Sequence, residues 1–136
     1  MPSCMLRVSG STAKVRKFLA ASSIQPVRVF WKGELSILKS RGPLKTSGFN
    51  IELSGAEGLP AQATQAAKFI RKHRGDILLI KSLGFSAATI DFGLYDLATE
   101  DRPWPSYRLP TAIIQLASEL GCSIDLSFYG TPSDAP

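Results

Sequence analysis

An α+β fold, with one antiparallel sheet carrying helices on a single face, is predicted by three features of the chain. Five short segments alternate apolar and polar residues with period two, the pattern of strands buried on one side only. Between them lie segments whose apolar residues recur every three or four positions, as in a helix with one buried stripe. The segments follow the order β-α-β-β-α-β-α-β. The first six match the split β-α-β arrangement of ferredoxin-like folds, extended here by a further helix and strand.

Leu6 and Val8 alternate with Arg7 and Ser9 as the first strand. Ser11 or Thr12 caps a helix whose stripe is Val15, Phe18 and Leu19; the stripe runs out at Ser22, and Pro26 bars continuation. Val27, Val29 and Trp31 alternate with Arg28, Phe30 and Lys32 as the second strand. Residues 36–48 are rich in Ser, Lys, Gly and Pro and read as a loop or irregular hairpin connection. Phe49, Ile51 and Leu53 form the third strand. Pro60 suits the first turn of a helix striped by Ala63, Ala66, Ala67 and Ile70. After Gly75, Asp76 caps a short helix through Ile77, Ile80 and Leu83, closed by Gly84; a strand over 77–80 fits four apolar residues equally well.

Ala88, Ile90, Phe92 and Leu94 mark the clearest strand. Residues 99–109 hold Pro103, Trp104, Pro105 and Tyr107 and read as a loop. Pro110 opens a helix with Ile113, Ile114, Ala117 and Leu120 inward, ended by Gly121. Ile124, Leu126 and Phe128 mark the last strand. At 136 residues the chain has room for one domain, over 1–130, followed by a polar, Pro-bearing tail over 131–136 that is expected to fray.

Composition narrows the chemistry. Two cysteines, Cys4 and Cys122, are too few for a disulfide scaffold, and with one histidine, His73, no His-based metal cluster is expected. No apolar run approaches the ~20 residues of a membrane span, and no signal core opens the chain, so a cytoplasmic protein is expected. Phosphate-binding glycine loops, H-E-x-x-H and C-x-x-C are absent from the sequence. His73 sits between Lys72 and Arg74, where a solvated helix end explains it better than a catalytic base. Asp91 and Asp125 both occupy outward strand positions; a solvated sheet face explains them better than an acid/base pair. Neither enzymatic activity nor a cofactor is expected.

The net charge is +5, from 16 Lys and Arg against 11 Asp and Glu. One basic group, Lys68, Arg71, Lys72 and Arg74, closes the long helix, where cations also complement the helix dipole. The other, Lys32, Lys39, Arg41 and Lys45, lies in and after the second strand. Phe30, Tyr95 and Tyr129 fall on the mixed sheet face and allow a weak stacking platform, although no RNP-type run is present. Trp104 and Tyr107 stand in the Pro-stiffened loop, as residue types that anchor protein interfaces. Trp31 shares parity with Val27 and Val29 and reads as core.

The chain also resembles a small family of uncharacterised bacterial ferredoxin-like domains associated with polymorphic-toxin immunity. These carry W-x-x-G-[DE] after a strand, then L-x-x-L-A-x-x-L-G on a helix and a strand ending in aromatic-Tyr. The matching residues are Trp31-Lys32-Gly33-Glu34, one residue shorter than the family spacing, then 113–121, and 124–130 with Phe128-Tyr129. The resemblance implies an immunity-type protein that binds a cognate toxin and occludes its active surface. With a charge of +5, the expected toxin surface is neutral or acidic. The expected contacts are Lys39, Arg41, Lys45, Arg102, Trp104 and Tyr107. The alternatives are a nucleic-acid-binding module using Lys68, Arg71, Lys72 and Arg74, or a small-molecule regulatory domain with a pocket between sheet and helices.

Overall fold

The computed structural model describes residues 2–36, 39–95 and 106–130, with the side chain of Lys39 excluded. Five strands, β1 (Cys4–Gly10), β2 (Arg28–Phe30), β3 (Ser47–Ser54), β4 (Ala87–Tyr95) and β5 (Ser123–Tyr129), form one sheet in the order β2-β3-β1-β4-β5. Neighbours among the first four run antiparallel. The fifth does not: β5 pairs parallel to β4, so the sheet is mixed and not strictly ferredoxin-like. The cause is the connection between them, which carries a helix across the sheet and returns the chain to the end where β4 began.

Helices α1 (Thr12–Ala21), α2 (Leu59–Lys72), α3 (Arg74–Leu83) and α4 (Thr111–Leu120) pack against one another and against the sheet. α1 starts where expected: Ser11 Oγ accepts from the Lys14 amide at 3.3 Å. The apolar run 77–80 lies within a helix, and Gly84, left-handed at φ 70°, ends it. Asp76 is in the first turn of α3 and does not cap it; its carboxylate accepts from the Ser23 amide and hydroxyl, tying α3 to the end of α1.

β2 is shorter than its alternation predicts. Val27 is 57% exposed and Trp31 lies beyond the strand, partly buried against the core with the Arg16 guanidinium 5.7 Å from its ring centroid. As an edge strand paired only with β3, it has no second neighbour to extend its ladder. Residues 32–36 and 39–46 pair irregularly, with a Leu35–Pro43 bridge, Gly33 and Gly42 at positive φ, and a 3₁₀ turn over Lys39–Arg41.

Alternation in the strands sends Leu6, Val8, Phe49, Ile51, Ile90 and Phe92 into the helix-covered core. At its centre Phe18 of α1 stacks on Phe49 of β3, with ring centroids 4.4 Å apart and planes 10° apart. Phe85 meets Phe49 edge-on at 5.6 Å. Buried Gln62 locks α2 to the sheet by donating from Nε2 to the carbonyls of Ala56 and Gly93. Residues 96–105, which hold most of the expected Pro-rich loop, and the 131–136 tail lie outside the described residues.

Phe49 contacts two rings and is fully buried, so Phe49→Ala leaves a cavity that neither neighbour can fill. Urea unfolding is expected to report a loss of about 3–5 kcal/mol.

Candidate functional site

Among the described residues no helix covers the opposite face of the sheet, and the residues there stand in register across the strands. Arg28 of β2 pairs with Asn50 of β3, Asn50 with Arg7 of β1, and Arg7 with Thr89 of β4. These four form one polar row, with Arg28 and Arg7 two strand spacings, about 10 Å, apart. The next row contains Phe30, Gly48, Ser9 and Ala87. A β-carbon at Gly48 would collide with the Phe30 ring, so glycine leaves room for that ring beside the sheet.

A groove of about 720 Å³ runs over these rows. Its floor includes Arg7, Arg28, Phe30, Asn50, Thr89 and Asp125, while Ser36, Arg41, Leu44 and Thr46 of the hairpin overhang it. The overhang is tied down at its root. Buried Ser47 Oγ accepts from the Lys32 amide at 2.9 Å and shares a 2.8 Å hydrogen bond with Thr12 Oγ1. Farther out, the Leu44 amide donates to the Glu34 carbonyl, and the Gly33 amide to Leu44.

The central arginine is held from below. Arg7 Nε donates to Asp91 Oδ2 at 3.1 Å, and Ser127 Oγ donates to Asp91 Oδ1. Asp91 is only 8% exposed, whereas the Arg7 side chain is about half exposed. Asp91 takes the Nε edge of the Arg7 guanidinium, which leaves the outer edge formed by its two terminal nitrogens for another acceptor. Guanidinium forks match carboxylate and phosphate oxygens, so Arg7, Arg28 and Arg41 equip the groove for an oxyanion. The Arg28 guanidinium also lies 5.7 Å from the Phe30 ring centroid.

Only part of the expected partner surface converges here. Arg41 overhangs the groove, and Lys45 lines a neighbouring hollow with Lys14 and Lys32 at the start of α1. Tyr107 does not stand free: it is partly buried against the core, its ring 5.4 Å from Phe128. Arg102, Trp104 and the side chain of Lys39 lie outside the described residues. The alternative set, Lys68, Arg71, Lys72 and Arg74, is exposed around the junction of α2 and α3, away from the groove. Arg74 is paired there with Glu119 at 3.0 Å. The groove lies on the open sheet face, on the other side from a pocket between sheet and helices. Arg7 and Arg28 carry no motif in the sequence that marks them as site residues. Their signal was present as outward parity in β1 and β2, but the register that aligns them was not.

Asp91 and Asp125 share the open face and are neighbours in the β4–β5 register, but Arg7 and Ser127 occupy the first of them. Tyr95 and Tyr129 pair at the far end of β4 and β5, away from Phe30. Cys4 and Cys122 are both free thiols and do not approach: β4 separates their strands, and the register offsets them along it. Burial, and secondarily the charge of Asp91, pushes the Cys4 thiol up to about 12. Burial alone pushes Cys122 up to about 11. Among the described residues no group of three or more His, Cys, Asp or Glu could hold a metal ion, and no helix is long and apolar enough to cross a membrane. Comparison with protein-family models, with curated proteins and with solved structures finds no match to this chain.

Two predictions follow from the carboxylate and the thiols. Asp91→Ala leaves Arg7 unpaired and Ser127 without its acceptor, and is expected to cost about 1–3 kcal/mol in urea unfolding. The exposed Asp125→Ala is expected to stay within about 0.5 kcal/mol. For the thiols, a raised native value means the unfolded chain releases its protons first. Their contribution to stability is therefore complete below the ordinary value of 9.0 and declines as pH rises toward about 12. Unfolding midpoints measured from pH 8 upward should fall for the native sequence and fall less steeply for Cys4→Ala.

Proposed function

We propose that this chain works by gripping a partner, as a bacterial, cytoplasmic immunity-type protein whose contact surface is the open sheet face and the hairpin above it. The observation that carries this reading is the convergence of Arg7, Arg28 and Arg41 on one uncovered groove, with Asp125 as the acidic residue in its lining. Such a surface attracts a partner that is acidic where it docks, and steering by opposite charge raises the association rate. Lys32 and Lys45 extend the positive field along the hairpin root. A basic nuclease would be repelled, so the toxin inferred here is acidic at its contact.

The first six elements are read as a ferredoxin-like unit. Supporting this, β2, β3, β1 and β4 alternate in direction with β1 and β3 at the centre. The nucleic-acid reading draws on Lys68, Arg71, Lys72 and Arg74, which do not share a surface with the groove.

Co-expression with the product of the adjacent open reading frame, followed by capture and a growth assay, tests the reading. A complex and restored growth are expected, with affinity weakened at least about tenfold by Arg28→Glu or Arg41→Glu. Lys17→Ala, on the exposed side of α1, is expected to leave affinity unchanged. No complex and no rescue would overturn it. So would retention of generic nucleic acid that disappears between low and physiological salt and depends on Arg71 and Lys72.

A further inference from the structure

The groove combines two features that attraction to an acidic surface does not require. One is the polar row in which Asn50 separates Arg28 from Arg7, so that two guanidiniums flank a neutral amide. The other is an aromatic ring in the adjoining row, seated over Gly48 where a β-carbon would collide with it. Phe30 is two residues beyond Arg28 on the same face, about 6.6 Å along the strand backbone, with the Arg28 guanidinium 5.7 Å from its ring centroid. That offset is comparable to the reach of a ribose between its 5′-phosphate and its base. The volume, about 720 Å³, falls in the range of small-molecule sites, and the arginine of the overhang closes over the same space.

We propose that the groove is a nucleotide site. The phosphates accept hydrogen bonds from the terminal nitrogens of Arg7 and from Arg28, with Arg41 reaching them from the hairpin. The base stacks on Phe30, and Asn50 and Thr89 offer donors and acceptors to the sugar. Asp91 holds Arg7 through Nε and so presents its fork without any rearrangement when the ligand arrives. This proposal shares with the preceding reading the premise that the open face is the working surface. It adds a consequence: nucleotide and acidic partner compete for the same arginines, so nucleotide level regulates the grip.

The test is isothermal titration of the purified full chain, without any partner protein, against ATP, inorganic pyrophosphate, citrate and a single-stranded oligonucleotide. ATP is expected to bind at least about tenfold more tightly than pyrophosphate, the difference being the stacked base. Arg28→Ala should weaken both about tenfold or more. Phe30→Leu should weaken ATP and leave pyrophosphate unchanged, with circular dichroism checking that the variant folds. Arg28 is exposed, so its variant tests the site even if Phe30→Leu unfolds.

Absence of ATP binding overturns the proposal, as does ATP binding that Arg28→Ala leaves intact. Pyrophosphate or citrate binding as tightly as ATP reduces the site to a general oxyanion groove and overturns the nucleotide assignment. An oligonucleotide that binds more tightly than ATP, over several nucleotides, replaces it with a nucleic-acid interface. Each result is obtained without the toxin. Failure here therefore leaves partner capture to be judged separately, and failure of capture leaves ATP binding intact.

Discussion

β1 is the strand on which the molecule turns, because it lies between β3 and β4 and pairs with both, Cys4 to Gly10 with β3 and Cys4 to Ser9 with β4. Its alternation is therefore enforced in both directions. Cys4, Leu6 and Val8 must enter the core, and Met5, Arg7 and Ser9 must stand on the other face. A one-residue slip would bury Arg7 beneath the helices, where an unpaired charge costs several kcal/mol (order of magnitude). The register that protects the core is thus the same register that places an arginine at the centre of the open face.

From that constraint the rest of the surface is assembled by neighbours. β4 brings Asp91 to the side of Arg7, and β5 brings Ser127 to Asp91, so a chain of hydrogen bonds runs from the outermost strand to the central one. β3 contributes Asn50 and the space at Gly48, and β2 contributes Arg28 and Phe30 at the edge. The hairpin is anchored through Ser47 to the first turn of α1, so its overhang is positioned by the same packing that seats Phe18 on Phe49. Core and surface are two readings of one set of strand alignments.

The helices are the part most plainly written in local chemistry. Ser11 caps α1, Gly84 and Gly121 end α3 and α4, and the stripes of Ala63, Ala66 and Ile70 and of Ile113, Ala117 and Leu120 are buried as their spacing requires, whereas Ile114, also expected inward, is 46% exposed. Strand interiors were equally clear where alternation ran long, as in Ala87–Tyr95. Two places were not legible. Ile77 to Ile80 is apolar throughout, which suits a strand or a helix, and the choice depends on α3 meeting α1, α2 and α4. Tyr107 looked like an exposed anchor in a loop, but Phe128 and the core take it up. Both outcomes come from contacts distant in sequence, which periodicity does not record.

What the amino-acid sequence determined by itself is parity and termination: which residues face in or out along β1, β3 and β4, where helices begin and stop, and the excess of positive charge. These depend on steric and hydrogen-bonding preferences acting within a few residues. What tertiary structure decided is which strands are neighbours, in what direction and in what register. The parallel pairing of β5, the row of Arg28, Asn50, Arg7 and Thr89, and the hold of Asp91 on Arg7 all belong to that second class. Arg7 and Asp91 are separated by 84 positions along the chain. Only burial of the whole core against the four helices brings residues so distant into hydrogen-bonding range.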